Sequence, residues 1–499
     1  METLSLLLYG LQIALSWENL LYCFAGCLLG TLVGVLPGIG PVTTVAILLP
    51  FTFGLGPAPA LIMLAGLYYG AQYGGSTTAI LVNIPGESSS VVTTIDGYQM
   101  ARQGRAGPAL GIAAIGSFVA GSFAVFVVAY FSPPLAEIAL RFGPADYFSL
   151  MVMGLAASVI LASGSLIKAI AMVLVGILLG SIGTDVNTGA IRFAAGLPQL
   201  TDGIGFIVLA MAFFGITDVL VNLEKSKEQH VANAEIKNVL PTMEDLRVSA
   251  PSIARGTLIG SILGILPGGG ALLASFAAYM VEKKVARRPA NFGSGDIRGV
   301  AAPESANNAG AQVSFIPMLT LGLPSNPTMA LMIGALMIQG ITPGPGVITE
   351  RPELFWGLIA SMWIGNLMLL VLNLPLVGLW VKLLSVPYSL LFPAILAFCC
   401  VGVYASSNEP ADVYIVAVLA AVGYALIKFD CEPAPMVLGF VLGPMMEENL
   451  RRAMMISFGD PSVFVTRPIS ALCLAATLLG LIAIAIPSLR RRRDAAMQE

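Results

Sequence analysis

The chain has 499 residues, of which 57% are hydrophobic and only 11% charged, with 25 basic against 28 acidic side chains. Soluble domains carry about 25% charged residues, so this composition belongs in a membrane. No basic block is large enough to suggest nucleic acid, and long apolar stretches without alternation exclude an outer-membrane barrel.

Residues 3–16 form a short apolar lead, and residues 18–36 and 42–53 flank a break. That break runs from Gly30 and Gly34 through Pro37, Gly38 and Gly40 to Pro41. Proline removes a backbone donor and glycine is costly inside a helix, so such a run ends one. Spans are expected at 58–82, 108–131, 146–163, 165–182 and 203–222, and the stretch 223–253 reads as a charged soluble loop. A second break follows, with Gly260, Gly264, Pro267, Gly268, Gly269 and Gly270 lying between apolar runs 254–266 and 270–281. After a charged loop at 282–298, apolar segments are expected at 305–323, 327–340, 353–384, 388–405, 411–428, 434–446 and 463–487.

The two breaks are not the only match between the halves. Gly70-Ala71-Gln72 leads to an interruption at Pro85-Gly86-Glu87-Ser88, and Gly310-Ala311-Gln312 leads to Pro324-Ser325-Asn326-Pro327 at nearly the same spacing. The expected fold is an all-α polytopic membrane protein of roughly ten to twelve transmembrane elements, in two repeated halves with paired broken helices or re-entrant hairpins. Its expected units are a first half over 1–222, a cytoplasmic loop over 223–253, a second half over 254–487 and a basic tail over 488–499. Lys and Arg concentrate in the 223–253 and 282–298 loops and in Arg490–Arg493, which places these regions in the cytoplasm. The expected number of spans between the hairpins is odd, so the halves would be inverted.

In hydrocarbon, freed backbone groups survive only where protein or a water-filled cavity covers them, and paired interruptions point to a transport site. Unwound carbonyls suit a cation, and helix N-termini suit a carboxylate. The expected cation ligands are Gly38, Gly40, Thr43, Asn83, Gly268 and Asn326, and the expected substrate ligands are Ser88, Ser89, Asn308 and Ser325. The same Ser, Thr and Asn residues also read as helix caps. Glu87 and Glu304 are either intramembrane carboxylates or members of surface loops. Lys168, Lys382 and Lys428 read as snorkelling side chains, and the six cysteines as packing residues without metal spacing.

An enzyme is the competing class. The single histidine, His230, lies in the soluble loop, which removes His-paired nucleophilic catalysis and a His-Glu-x-x-His zinc site from the membrane. Aspartyl chemistry needs two facing carboxylates, and no pair of apolar spans offers clear partners. There is no P-loop, and the N-terminus lacks the basic region of a removable signal peptide.

Several ordered motifs carry a resemblance. Gly34-Val35-Leu36-Pro37-Gly38-Ile39-Gly40-Pro41, Tyr69–Ser76, Asn83-Ile84-Pro85-Gly86-Glu87, Asp96-Gly97-Tyr98, Gly104–Gly107, Pro303–Gly310 and Leu321–Ser325 resemble the large membrane subunit of the tripartite tricarboxylate transporters, TctA. The resemblance covers nearly the whole chain. It implies a bacterial inner-membrane carrier that takes up a di- or tricarboxylate, such as citrate, driven by Na⁺ or H⁺ and without other cofactor. It further implies a small four-helix membrane subunit (TctB-like) and a periplasmic solute-binding protein (TctC-like). A stand-alone carboxylate carrier is the alternative within transport.

Overall fold

The computed structural model describes residues 2–36, 40–162, 165–185, 188–225, 239–266, 270–286, 291–383 and 388–485. Proline sets many of the helix starts. Pro41, Pro57, Pro144, Pro327, Pro352, Pro410 and Pro433 each open a helix, where the missing N–H has no intrahelical partner to lose. The first half contains α1 (Glu2–Ala14), α2 (Trp17–Gly34), α3 (Pro41–Leu48, continued by a 3-10 turn over Leu49–Thr52), α4 (Pro57–Val82), α5 (Val91–Arg102), α6 (Ala106–Ala139), α7 (Pro144–Leu161) and α8 (Leu166–Gly180). A minimal antiparallel ladder, β1 (Gly183–Thr184) against β2 (Ile191–Arg192), precedes a rod built from α9 (Phe206–Ala210), a π-helical turn over Met211–Ile216 and α10 (Thr217–Lys225).

The second half begins with α11 (Met243–Leu263), α12 (Gly270–Val285), α13 (Arg298–Val313), α14 (Phe315–Leu321) and α15 (Pro327–Ile338). It continues with α16 (Gly346–Glu350), α17 (Pro352–Asn373), α18 (Val377–Leu383), α19 (Tyr388–Ser407), α20 (Pro410–Lys428), α21 (Pro433–Ile456), α22 (Val463–Thr466) and α23 (Pro468–Ala485). Among the described residues, five helical stretches are long and apolar enough to cross a membrane: Trp17–Gly34, Ala106–Ala139, Phe206–Glu224, Pro352–Asn373 and Pro410–Lys428. With the shorter apolar helices around them, they make an all-α polytopic membrane protein.

Small residues let the helices at the centre touch backbone to backbone, as membrane packing requires. Gly26, Gly30 and Gly34 of α2 face Met63, Leu67 and Ala71 of α4 so closely that a methyl group would overlap their backbone. The register rises together, so α2 and α4 are parallel, and the chain from Pro41 to Gly56 must run back to the start of α4. In the second half, Gly256, Gly260 and Gly264 of α11 face Ala302, Ala306 and Gly310 of α13 in the same way. There too α12 runs back before α13 begins. Each half thus contains a helical hairpin whose tip is the sequence break.

The directions of the hairpins follow from two contacts. Ser76 of α4 meets Glu304 near the start of α13, while Tyr69, two turns earlier on α4, packs against Phe315 at the start of α14. Rising register on one helix meets falling register on the other, so α4 and the α13–α14 pair are antiparallel. The α2–α3 and α11–α12 hairpins therefore enter from opposite ends of the fold.

Several boundaries depart from the sequence expectation. The 223–253 stretch does not remain a loop. Thr242 and Asp245 form a reciprocal capping box, and α11 starts at Met243, eleven residues before the apolar pattern begins at 254. α12 extends through Lys283 and Lys284 to Val285, and α6 continues to Ala139 through Pro133 and Pro134. The expected span 353–384 divides into α17 and α18, and α21 reaches Ile456 rather than 446. Most consequentially, α13 starts at Arg298 and holds Glu304 inside the helix, fully buried, rather than in a surface loop.

Candidate functional site

Each sequence interruption ends one helix and starts another, and all four meet at a single cavity of about 350 Å³. The first contributes Gly40, Pro41, Val42 and Thr43, and the second contributes Glu87, Ser88 and Ser89. Ala271 and Leu272 come from the tip of the second hairpin, and Asn326, Pro327 and Thr328 from the fourth interruption. Tyr68 and Gln72 of α4 and Asp218 of α10 complete the wall, together with Ser158 and Ala162 near the end of α7 and Glu432–Pro435 at the start of α21.

The helix ends give the cavity its electrostatics. Gly40, Asn326 and Glu432 are the N-cap residues of α3, α15 and α21, so three helix N-termini point the positive ends of their dipoles there. Helix N-termini carry roughly half a positive charge and favour anions. Among the described residues the lining holds three acids, Glu87, Asp218 and Glu432, but no Lys, Arg or His. An anion entering this space is met by helix dipoles, hydroxyls and amides.

Hydrogen bonds fix the wall residues. Thr43 Oγ1 donates to Asp218 Oδ2 at 2.6 Å, joining the first hairpin to α10. Asn326 Oδ1 accepts from the Met329 backbone N–H at 2.9 Å, and its Nδ2 donates to the Tyr68 hydroxyl at 3.3 Å. Ser89 Oγ reaches Gln72 Oε1 at 3.5 Å. Behind the wall, Asn307 Nδ2 donates to Glu87 Oε1 at 2.7 Å, while Ser76 and Thr93 both donate to Glu304. The expectation that no carboxylates come together is thus corrected: Glu87 and Glu304 share one buried cluster, because α13 carries Glu304 and Asn307 on the face that meets α4 and α5.

A family model described as the tripartite tricarboxylate transporter TctA family matches residues 20–438, most of the chain and all four interruptions. The chain belongs to the TctA family. It is similar over nearly its whole length to the "Uncharacterized 52.8 kDa protein in TAR-I ttuC' 3'region" of Agrobacterium vitis, with 56% identity over 494 residues, covering 99% of this chain and 98% of that protein. The "Uncharacterized protein in TAR-II ttuC' 3'region" of the same organism is 62% identical over 235 residues, 47% of this chain and 97% of that shorter protein. No solved structure matches the chain. TctA membership and the apolar helices make it a multi-pass membrane component of a tripartite tricarboxylate transport system.

Of the residues singled out in the TctA sequence, Gly40, Thr43, Ser88, Ser89 and Asn326 line the cavity. Gly38 and Gly268 lie outside the described residues. The other three sit elsewhere. Asn83 is exposed at the C-terminus of α4, where its positive φ of 58° makes it a left-handed cap. Asn308 is buried on α13 and donates to Ser117 Oγ at 2.7 Å, and Ser325 is buried with its hydroxyl toward the Ser314 carbonyl. Sequence reasoning missed Tyr68, Gln72, Asp218 and Glu432. Asp218 had a signal, since it stands within an otherwise apolar stretch after Ile216 and Thr217. The π turn that precedes it, a feature that often accompanies functional sites, leaves no such mark.

Proposed function

We propose that this chain is the ion-coupled permease subunit of a binding-protein-dependent system importing di- and tricarboxylates such as citrate across the bacterial inner membrane. The observation that carries the reading is the meeting of all four chain interruptions at one cavity with three helix N-termini and, among the described residues, three acids and no basic side chain. A carboxylate enters such a site only together with cations, and that requirement is the physical basis of symport. Na⁺ or H⁺ supplies the drive. A small four-helix membrane subunit and a periplasmic solute-binding protein are the proposed partners.

The proposed domain plan is two halves, 1–222 and 254–487, of inverted orientation, joined by a cytoplasmic segment over 223–253 and followed by a basic tail over 488–499. Opposite entry of the two hairpins supports that plan. In our reading the hairpins move with the substrate in an elevator motion, which their small-residue contacts with α4 and α13 favour. The buried carboxylates Glu87 and Glu304 are the one feature an intramembrane enzyme would also use. In the carrier they bind rather than react, so no turnover product forms.

The test is uptake of a labelled carboxylate panel into proteoliposomes holding the chain and its co-encoded small membrane subunit. Uptake is expected to need both an imposed Na⁺ or H⁺ gradient and the purified binding protein. Uptake without the binding protein would instead identify a stand-alone carrier. Chemical conversion of the carboxylate without accumulation would refute the transport reading.

A further inference from the structure

Two carboxylates lie inside this protein with no cationic side chain beside them among the described residues. Glu87 opens the 3-10 turn over Ser88–Ser90 and is 8% exposed, and Glu304 on α13 is 0% exposed. Among the described residues the side-chain donors that reach them are neutral: Asn307 and Ser89 for Glu87, and Ser76 and Thr93 for Glu304. Among the described residues neither forms an ion pair with Lys, Arg or His. Removing a carboxylate from water costs several kcal/mol even after the protein relaxes, and a few neutral hydrogen bonds do not offset two of them. Positive charge is missing from this cluster.

The surrounding oxygen atoms point to what supplies it. Asn307 gives its N–H to Glu87, yet its fully buried Oδ1 has no partner, and neither does the buried Tyr73 hydroxyl. Tyr73 lines a void of about 10 Å³ with Ser76, Thr77, Ser117 and Asn373, which is room for one water-sized guest. Asn373 Oδ1 is likewise unpartnered. Hydroxyl and amide oxygens around that void are hard ligands, and Ser76, which lines it, joins it to the Glu304 carboxylate. Among the described residues no group of three His, Cys, Asp or Glu could hold a metal ion, which leaves too few anionic ligands for a divalent one. Glu87 also lines the main cavity, which gives the ion a way in.

We propose that Glu87 and Glu304 together hold one monovalent cation, a sodium ion or a proton, where the two halves meet, and that this cation drives transport. The second clause rests on the transporter reading above, while the first stands without it. Glu87 belongs to an interruption of the first half and Glu304 to a helix of the second. Relative motion of the halves therefore takes the site apart, and loading it ties them together. The titratable groups facing the pair are Tyr68 toward Glu87 and Tyr73 toward Glu304, both from α4, with Asp218 of α10 and Glu432 of α21 in the cavity that Glu87 lines. The facing residues from α5, α6 and α13 are the neutral Thr93, Ser117 and Asn307. The nearest further acid on α5, Asp96, is held by Tyr279 and three backbone N–H groups of the 291–297 loop.

The experiment follows thermal unfolding of the full-length chain in detergent while sodium chloride replaces choline chloride, from about pH 5 to 8. Wild type, Glu87→Gln, Glu304→Gln and Asn307→Ala are compared. If sodium is the ion, wild type is stabilised by sodium and the half-effective concentration rises by about tenfold or more in both Gln variants. If a proton is the ion, sodium has no effect, and the wild-type pH dependence flattens in both. A wild type without either response, or Gln variants that keep both, overturns the proposal. Should Glu304→Gln fail to fold, Glu87→Gln and Asn307→Ala decide the matter. Uptake in proteoliposomes separates the two levels. Silence in wild type refutes the transport reading and leaves the binding result intact, whereas gradient-driven uptake that survives both Gln substitutions removes the pair from coupling.

Discussion

Asn326 offers the sharpest test of the cavity, because two substitutions separate its structural role from its electrostatic one. Its Oδ1 caps α15 through the Met329 N–H, and its side chain lines the cavity. Asn326→Asp keeps the cap, since Asp and Asn cap helices about equally, and stability is expected to change by less than about 0.5 kcal/mol. The same change adds a negative charge where a carboxylate is proposed to sit. At a separation of about 6 Å and an effective dielectric of about 20, the repulsion is about 3 kcal/mol, or roughly a hundredfold in half-saturating substrate. The cation response should move the other way, toward lower concentrations. Asn326→Ala loses the cap, costs about 1 kcal/mol of stability and weakens substrate by less than tenfold. Uptake of labelled carboxylate by proteoliposomes, paired with thermal unfolding in detergent, measures both quantities. If Asn326→Asp left half-saturation within about threefold of wild type, the substrate would not bind at this wall and the site assignment would fail.

Three further perturbations probe the frame around the cavity. A side chain at Gly74 would meet the Thr31 carbonyl oxygen at 2.6 Å, so Gly74→Val should cost about 1–3 kcal/mol or more and lower the yield of monodisperse protein, while Gly54→Ala, with no atom within 4 Å, should be silent. Asp96 accepts from Tyr279 at 2.9 Å and from the Gly293, Gly295 and Asp296 N–H groups at 2.8–2.9 Å. Asp96→Asn replaces a charged acceptor by a neutral one and should expose the 291–297 loop to limited proteolysis at least tenfold faster, about 1.4 kcal/mol being enough. Outside the membrane, burial alone would raise the Asp245 pKa, but bonds from Thr242 and Arg105 outweigh it and hold the carboxyl below its usual value. A lowered folded pKa means stabilisation that is present above the unfolded value of about 3.9 and lost as pH falls through the folded one. The melting difference between wild type and Asp245→Asn should therefore persist at neutral pH and close below about pH 4.

The helices were legible in the sequence because proline and glycine punctuate them, and the cavity was partly legible because interruptions in hydrocarbon demand cover. What the sequence could not provide was facing. Asn308 and Asn307 are neighbours with the same chemistry, yet the helical turn sends Asn307 to Glu87 and Asn308 to Ser117. Asn83 looked like a ligand because it precedes Pro85, but a left-handed residue at a helix end turns the chain and needs no ligand. Glu304 was ambiguous for a related reason. The polar residues around it, Ser305, Asn307, Asn308 and Gln312, resemble a loop until α4, α5, α6 and α17 supply their partners. Capping explains the 223–253 stretch as well: the Thr242–Asp245 pair marks a helix start that an apolar pattern beginning at 254 hides.

The proposed alternating access would leave a further trace. A second cleft, of about 870 Å³, shares three helices with the main cavity but lies at their opposite ends. On α7 the main cavity takes Ser158 and the second cleft takes Pro144, Tyr147 and Met151; on α15 the division is Thr328 against Met337; on α21 it is Leu438 against Met445, Glu448 and Arg452. Between them the side chains of Leu323 and Leu442 close over Gly154, at 3.7–3.8 Å from where its Cβ would stand. If the main cavity is the site in one access state, the second cleft is the vestibule of the other, and this apolar layer is the barrier between them. Single cysteines at Ser158 and Thr342, in a background lacking Cys400 and Cys431, then report the two sides to a membrane-impermeant thiol reagent. Adding substrate and the coupling gradient should slow labelling at one position and speed it at the other, by about threefold or more in opposite directions. Labelling that rose or fell together at both positions would mean a breathing protein rather than an alternating one, and a layer at Leu323 and Leu442 that is mere packing.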